Sequence, residues 1–291
     1  MRLAGVTVHR GQIHTPLRYP GGKSRLAGFL RSLIEVGGWT DREYAEPYGG
    51  GAGAALTLLM DKVVPRIAIN DLDPAVHEFW RAVVDQSDRF SDKVRSVPLT
   101  LDEWRTQKAI YRDPEANGFD RGFAMFYLNR TNRSGVLHAG VIGGQKQGGK
   151  YLIDARFNRE DLAARVEAIG ARSDDISVTS MDGAEFIRSK LGEGAFVYAD
   201  PPYYEKGALL YLNAFDDAAH SALAKLLTDN PDAIWLLTYD DCAAIRKLYR
   251  GRYQGTFELP YSAHRAERAQ ELMVMSSPIR RAMDLLPAPT P

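Results

Sequence analysis

The sequence predicts an α/β fold: a mostly parallel sheet of about seven strands, covered by helices on both faces and interrupted by a mainly helical insertion. Three observations carry that prediction. Short apolar runs alternate with helix-period segments in both halves of the chain, as a parallel sheet packed between helices requires. The alternation stops between about residues 85 and 172. It then resumes and ends on two strand-like runs with only a polar stretch between them. With 291 residues, 45% of them hydrophobic, the chain can build one sizeable core and a smaller lobe. The expected division is a sheet domain of residues 1–84 and 173–291 around an inserted domain of residues 85–172.

Taken in order, Leu26, Phe29, Leu30, Leu33 and Ile34 recur at helical spacing. Tyr44 and Ala45 end a short strand, and Glu46-Pro47 leads into a glycine-rich turn that opens the apolar helix Ala54 to Met60. Arg66 to Ile69 is a second strand, closed by Asn70-Asp71, and Val76, Phe79, Trp80 and Val83 mark a helix. In the insertion, Leu101 to Ile110, Asp120 to Leu128 and Asp161 to Ile169 read as helices. Ile176 to Thr179 and Ala195 to Ala199 are the third and fourth strands, with a helix at Asp182 to Leu191 between them. A helix at His220 to Leu227 precedes the fifth strand, Ala233 to Leu237. Gly255 to Leu259 and Glu271 to Met275 come last, joined by the polar Ser262 to Gln270; a terminal hairpin, and hence one antiparallel strand, is expected. The proline-rich end, Pro287 to Pro291, is expected to fray.

Composition removes several function classes. No apolar run reaches membrane-spanning length and Met1 to Arg10 lacks a secretory apolar stretch, so a cytoplasmic protein is expected. The single cysteine, Cys242, makes neither an intrachain disulfide nor a cysteine-based zinc site, and the six histidines show no metal-ligand spacing; no metal is expected. Lys and Arg total 37, as do Asp and Glu, so the whole chain is no polycation. Local patterning differs. From Arg121 through Arg159 seven basic residues stand against one acidic residue, Asp154, around the Gly-, Asn-, Arg- and Lys-rich stretch Asn129 to Tyr151. This segment reads either as a solvated loop or as a surface that meets nucleic-acid phosphates.

Two segments carry chemistry. The cluster Gly49-Gly50-Gly51-Ala52-Gly53 lets the backbone approach a ligand and turn sharply into a helix, and it lacks the lysine of an ATP-binding P-loop. Asp71, twenty-five residues after Glu46, can accept two ribose hydroxyl hydrogen bonds, which suits a nicotinamide cofactor or S-adenosylmethionine equally; it can also cap the helix beyond Pro74. The more discriminating segment is Asp200-Pro201-Pro202-Tyr203. Two prolines end a central strand and freeze a turn at the carboxyl edge of the sheet. Such a turn can aim the Asp200 carboxylate and the Pro201 carbonyl at one amino group, with Tyr203 stacked on a base. Its plainer reading is a strand-ending turn.

These segments resemble the Dam-type, DPPY-containing DNA adenine methyltransferases. The resembling stretches are RYPGGK at Arg18 to Lys23, EPYGGGAG at Glu46 to Gly53, IND at Ile69 to Asp71, YLNRTNRSG at Tyr127 to Gly135, MDG at Met181 to Gly183 and DPPYY at Asp200 to Tyr204. The resemblance implies a Rossmann-like class I methyltransferase sheet with an inserted helical target-recognition domain, S-adenosyl-L-methionine as methyl donor and double-stranded DNA as partner; no obligate protein partner is inferred. It implies Lys23 near the methionine carboxylate of the donor, with Tyr19 and Pro20 shaping that pocket. Glu46 would meet the ammonium, Gly49, Gly51 and Gly53 would admit the cofactor, Asp71 would bind the ribose, and Asp182 the adenine unless it only caps a helix. Asp200, Pro201 and Tyr203 would form the target-base site, with Tyr204 as a wall. Aspartate rather than serine before the prolines favours adenine over cytosine.

Since an adenine amine is inaccessible while stacked, the base must be flipped out. Arg130, Asn132 and Arg133 are the candidates for base-edge or phosphate contacts, and Lys146 and Lys150 for phosphates. Arg265 and Arg268 either join that face or merely solubilise the hairpin. The run LHAGVIGGQKQGGKY after NRTNRSG departs from the recognition hairpin of GATC-methylating members, so that specificity is not carried over. A nicotinamide-dependent dehydrogenase would leave DPPYY unexplained. The same motifs would also serve an RNA adenine methyltransferase or a catalytically weak DNA-binding regulator.

Overall fold

The computed structural model describes residues 12–18, 23–116, 118–204, 215–261 and 267–286. Seven strands form the sheet: β1 (Tyr44–Glu46), β2 (Ile67–Asn70), β3 (Ile176–Thr179), β4 (Phe196–Ala199), β5 (Trp235–Asp240), β6 (Tyr253–Tyr261) and β7 (Glu267–Met275). Their order is β3-β2-β1-β4-β5-β7-β6. β1 runs parallel to β2 and β4, and β4 to β5, while β7 is antiparallel to both β5 and β6. This is the Rossmann-like sheet expected, with β7 as an antiparallel strand. The terminal strands are longer than their apolar runs, because the hairpin ladder extends from Tyr253↔Met275 to Tyr261↔Glu267 through polar residues.

Contacts divide the chain into two compact units, residues 1–12, 23–72 and 179–291, and residues 13–22 and 73–178. In the first, alternate side chains of each strand take opposite faces. Val197, Ala199, Trp235, Leu237, Tyr239, Leu272 and Val274 pack with Phe186 and Ile187 of α8 (Gly183–Gly192), Leu223 and Leu227 of α9 (Asp217–Asp229) and Ile245 of α10 (Ala243–Leu248). On the other face Tyr44 stacks on Phe196, which also meets Trp39. Trp39 follows α1 (Ala27–Gly37), which packs against α2 (Gly53–Met60) and α11 (Ser277–Leu285).

The second unit comprises α3 (Pro74–Asp85), α4 (Ser87–Ser96), α5 (Leu101–Arg112), α6 (Gly118–Thr131) and α7 (Arg159–Gly170). Asp73 caps α3 through Ala75 N at 2.9 Å, with Pro74 in the first turn. The core is aromatic: Phe79, Phe90, Phe123 and Phe126 meet with ring centroids 5.2–6.1 Å apart. Gly122 permits the close crossing of α6 on α3, since a Cβ there would lie 2.6 Å from the Glu78 carbonyl oxygen. Helix α3 packs in this unit by burying its apolar face, Phe79 included, against α6. No helix among the described residues is long and apolar enough to cross a membrane.

Candidate active site

The parallel strands end at one edge of the sheet, where open α/β folds bind their ligands. One buried side chain organises that edge. Asn70 donates to the carbonyls of Pro47 (3.0 Å) and Met181 (3.1 Å) and accepts from Thr179 Oγ1 and Met181 N, both at 2.8 Å. It thereby ties together the segments that follow β1, β2 and β3. Gly49 N donates to Asn70 O at 2.8 Å, and a Cβ on Gly49 would lie 2.5 Å from the Ile69 side chain. Gly51 is buried in the turn, and a Cβ on Gly53 would sit 2.9 Å from Ser24 Cβ. Asn70 belongs to the IND segment, but nothing in the sequence assigns it this role.

Asp71 braces this turn, its Oδ2 accepting from Gly50 N at 2.8 Å. Asp182 caps α8, one oxygen accepting from Ala184 N (3.0 Å) and Glu185 N (3.2 Å). Each carboxylate has an apolar neighbour turned to solvent: Leu72 is 49% exposed and Met181 37%. Two carboxylates beside two exposed apolar side chains suit a ribose and a purine ring. Glu46 is buried, and its Oε1 accepts from Ala55 N (3.0 Å) and Tyr44 OH (3.2 Å). Burial outweighs those hydrogen bonds and pushes its carboxyl up to about 8.

Asp200 stands immediately after β4, and its Oδ1 accepts from Thr238 Oγ1 of β5 at 2.7 Å. The same oxygen lies 3.4 Å from Lys23 Nζ. Burial raises the Asp200 carboxyl to about 6; Lys23 acts against that shift and Glu271 adds to it. The Lys23 ammonium, expected near the methionine carboxylate of the donor, lies in this cluster. It donates to both oxygens of Glu271 (2.9 and 2.8 Å) and to Tyr203 OH (3.0 Å). Tyr203 OH donates in turn to Glu271 Oε1 at 3.0 Å, so this buried ring is anchored by its hydroxyl. Tyr204 N donates to Asp240 Oδ1 at 2.9 Å, and its ring packs on His220. Pro201 is buried beside Asp200. Sequence reasoning missed Glu271; an acidic residue opening the apolar run Leu272 to Met275 was its only signal.

The second unit separates the predicted DNA-contact residues into two groups. Asn132 is wholly buried, accepting from Trp104 Nε1 (2.7 Å) and donating to the carbonyls of Val136 (3.1 Å) and Leu137 (2.9 Å). This corrects its assignment to a DNA-facing surface: it holds the turn after α6. Arg130 is half-buried, donating to the carbonyls of Arg156 (2.8 Å) and Pro16 (3.5 Å). Desolvation, with Arg18 and Arg165 nearby, lowers its pKa to about 9, which leaves it cationic at neutral pH. Arg133, Lys146 and Lys150 are exposed. Lys150 and Arg156 both lie over the exposed ring of Tyr151, at 5.7 and 5.8 Å from its centroid. Tyr19, Pro20, Arg265, the side chain of Arg268 and the end from Pro287 lie outside the described residues.

A family model described as D12 class N6 adenine-specific DNA methyltransferase matches residues 19–267. The type II methyltransferase M.MjaIII of Methanocaldococcus jannaschii is 22% identical over 201 residues, 64% of this chain and 68% of that protein. Among solved structures, the rRNA methyltransferase aviRa of Streptomyces viridochromogenes aligns over 96% of this chain and 92% of its own, at 16% identity and a TM-score of 0.42. A SAM-dependent methyltransferase of Agrobacterium tumefaciens aligns over 88% of this chain and 62% of its own, at 9% identity and a TM-score of 0.39.

Proposed function

The chain belongs to the D12 class N6 adenine-specific DNA methyltransferase family, whose members use S-adenosylmethionine, and we propose that it methylates the exocyclic N6 amine of an adenine flipped out of double-stranded DNA. The observation that carries this reading is Asp200, a carboxylate held by Thr238 on a proline-locked turn beside the anchored ring of Tyr203. The order and spacing of RYPGGK, EPYGGGAG and DPPYY support a Dam-type member.

When bound, S-adenosylmethionine supplies an electrophilic methyl group on a sulfonium sulfur. The residues that would hold it are the glycine turn, Asp71 with Leu72, Asp182 with Met181, and Glu46. Their acidic character fits a ligand with two cationic centres. Asp200 accepts a hydrogen bond from the target amine, with the Pro201 carbonyl as second acceptor, and so turns the nitrogen lone pair toward the methyl. The bound donor would supply its methyl to that nitrogen, the electron pair of the carbon–sulfur bond staying on sulfur. Asp200 then takes the proton that the cationic nitrogen sheds, so it need not be a strong base beforehand. Tyr203 packs on the base, held in place by Glu271 and Lys23. Arg133, Lys146, Lys150 and Arg156 form the exposed basic face that meets duplex phosphates and base edges.

The test offers labelled methyl donor with duplex DNA, single-stranded DNA and RNA in turn, and identifies the product nucleoside by mass spectrometry. N6-methyladenine arising fastest in duplex DNA supports the reading. A preference for RNA, or methylation at another atom, replaces it.

A further inference from the structure

Glu271 lies outside every motif that pointed to the site, yet at 2% exposure it is buried more deeply than Asp200, whose side chain is 22% exposed. The strand register explains how it arrives there. Asp240 pairs with Glu271, and Thr238 with Met273. Side chains two apart on a strand share a face, so Thr238, Asp240 and Glu271 project from the same side of the sheet, and Asp200 reaches Thr238 there. A carboxylate is tolerated so far from water only if it is paired, and Glu271 takes two short bonds from Lys23 and one from Tyr203.

The distances are unequal in an informative way. Lys23 Nζ sits 2.8 and 2.9 Å from the two oxygens of Glu271 but 3.4 Å from Asp200. Resting on the adenine-methylation reading, we infer that Glu271 is a positioning residue: it draws the Lys23 ammonium and the Tyr203 hydroxyl to itself, so that Asp200 remains the acceptor for the target amine. Without Glu271, a buried ammonium has one fewer carboxylate to satisfy it and closes on Asp200, competing directly with the substrate amine. Tyr203 loses its acceptor in the same step.

Several other groups face or influence Asp200. Thr238 hydrogen-bonds it and is itself bonded to Tyr198 of β4 at 2.9 Å. Glu46 and Tyr44 of β1 and Tyr239 of β5 interact with its charge, and Asp240 stands opposite Glu271 in the ladder. Of these, Tyr198 also feels the Glu271 charge, but burial keeps it a neutral phenol, so an altered titration of Asp200 reports chiefly the Glu271–Lys23 pair. Loss of one nearby negative charge, with Lys23 drawn closer, favours the ionised form of Asp200 and moves its titration to lower pH.

The experiment uses Glu271→Gln in the full chain, which keeps the side-chain size. The Asp200 carboxyl is followed by ¹³C NMR, its signal assigned with Asp200→Asn, alongside single-turnover methyl transfer to duplex DNA across pH. The expected result is a lower Asp200 titration midpoint, an acid limb of the rate profile displaced the same way, and a plateau rate reduced about tenfold to a hundredfold, the scale on which residues that orient a reacting group act. Affinity for S-adenosylmethionine stays near that of the parent. An unchanged Asp200 titration and plateau rate would overturn the inference. If Glu271→Gln does not fold, Glu271→Asp, which sets the charge back by one methylene, shows the same downward displacement to a smaller extent, and no displacement there overturns the inference equally. Should the parent protein methylate no adenine in DNA, the functional reading fails, while the NMR titration still decides whether Glu271 controls Asp200.

Discussion

Glu46 shows how one residue can couple protonation to both stability and ligand binding. Its carboxyl rises from an ordinary 4.5 to about 8 because burial disfavours the charge. A folded-state value above the unfolded one means that the native state binds the proton more tightly. The stability this contributes is fully present below about pH 4.5 and is lost as pH rises through about 8. Asp200, raised to about 6, acts in the same direction over a lower window. Glu46→Gln keeps an acceptor for Ala55 N and Tyr44 OH; we expect the Tm of the parent to decline between about pH 5 and 8 and that of Glu46→Gln to decline less. If Glu46 also meets the ammonium of S-adenosylmethionine, binding near pH 7 expels its proton. Calorimetry in buffers of different ionisation enthalpy then detects proton release in the parent and none in Glu46→Gln. Equal release in both proteins removes Glu46 from the cofactor site.

Among elements, the turn after α6 depends on Asn132. Replacing it with alanine strands the Trp104 indole N–H and two carbonyls, at a cost of about 2–4 kcal/mol to the second unit. Urea unfolding checks this; a variant as stable as the parent would return Asn132 to the surface contacts. The same residue shows where sequence reading reaches its limit. Polar residues in a basic, glycine-containing stretch look solvent-facing, and nothing local reveals that Asn132 folds back onto a tryptophan twenty-eight positions earlier. The strands were legible because each is a short apolar run ended by a turn, and the hairpin because no helix pattern separates Gly255 to Leu259 from Glu271 to Met275. Helix α4 was not, since Phe90 and Val94 are its only large buried side chains amid charge. At the site, Asp71, Asp182 and Asp200 announced themselves by following strands. Glu271 and Asn70 act through partners distant in sequence, and only the folded sheet brings those partners together.

Within a chain of zero formal net charge, the stretch Arg121 to Arg159 of the second unit carries seven basic residues against one acidic, and Arg133, Lys146, Lys150 and Arg156 of that stretch are exposed. Attraction between such a face and duplex phosphates releases counterions, so DNA affinity must fall with salt. Lys150→Ala should weaken diverse duplexes alike and reduce the slope of log affinity against log salt by about one, whereas Arg133→Ala should also reduce sequence preference. Fluorescence anisotropy over a salt series checks both, and unchanged slopes would move the DNA face elsewhere. Whether Asp200 receives the target amine during methyl transfer is decided by rapid-quench single-turnover methylation of duplex DNA with Asp200→Ala at saturating cofactor and DNA. The expected variant is folded and binds S-adenosylmethionine and DNA as the parent does, yet transfers methyl about a hundredfold to several thousandfold more slowly, equivalent to about 3–5 kcal/mol on the barrier. A folded Asp200→Ala protein with the parent's chemical rate would contradict that role.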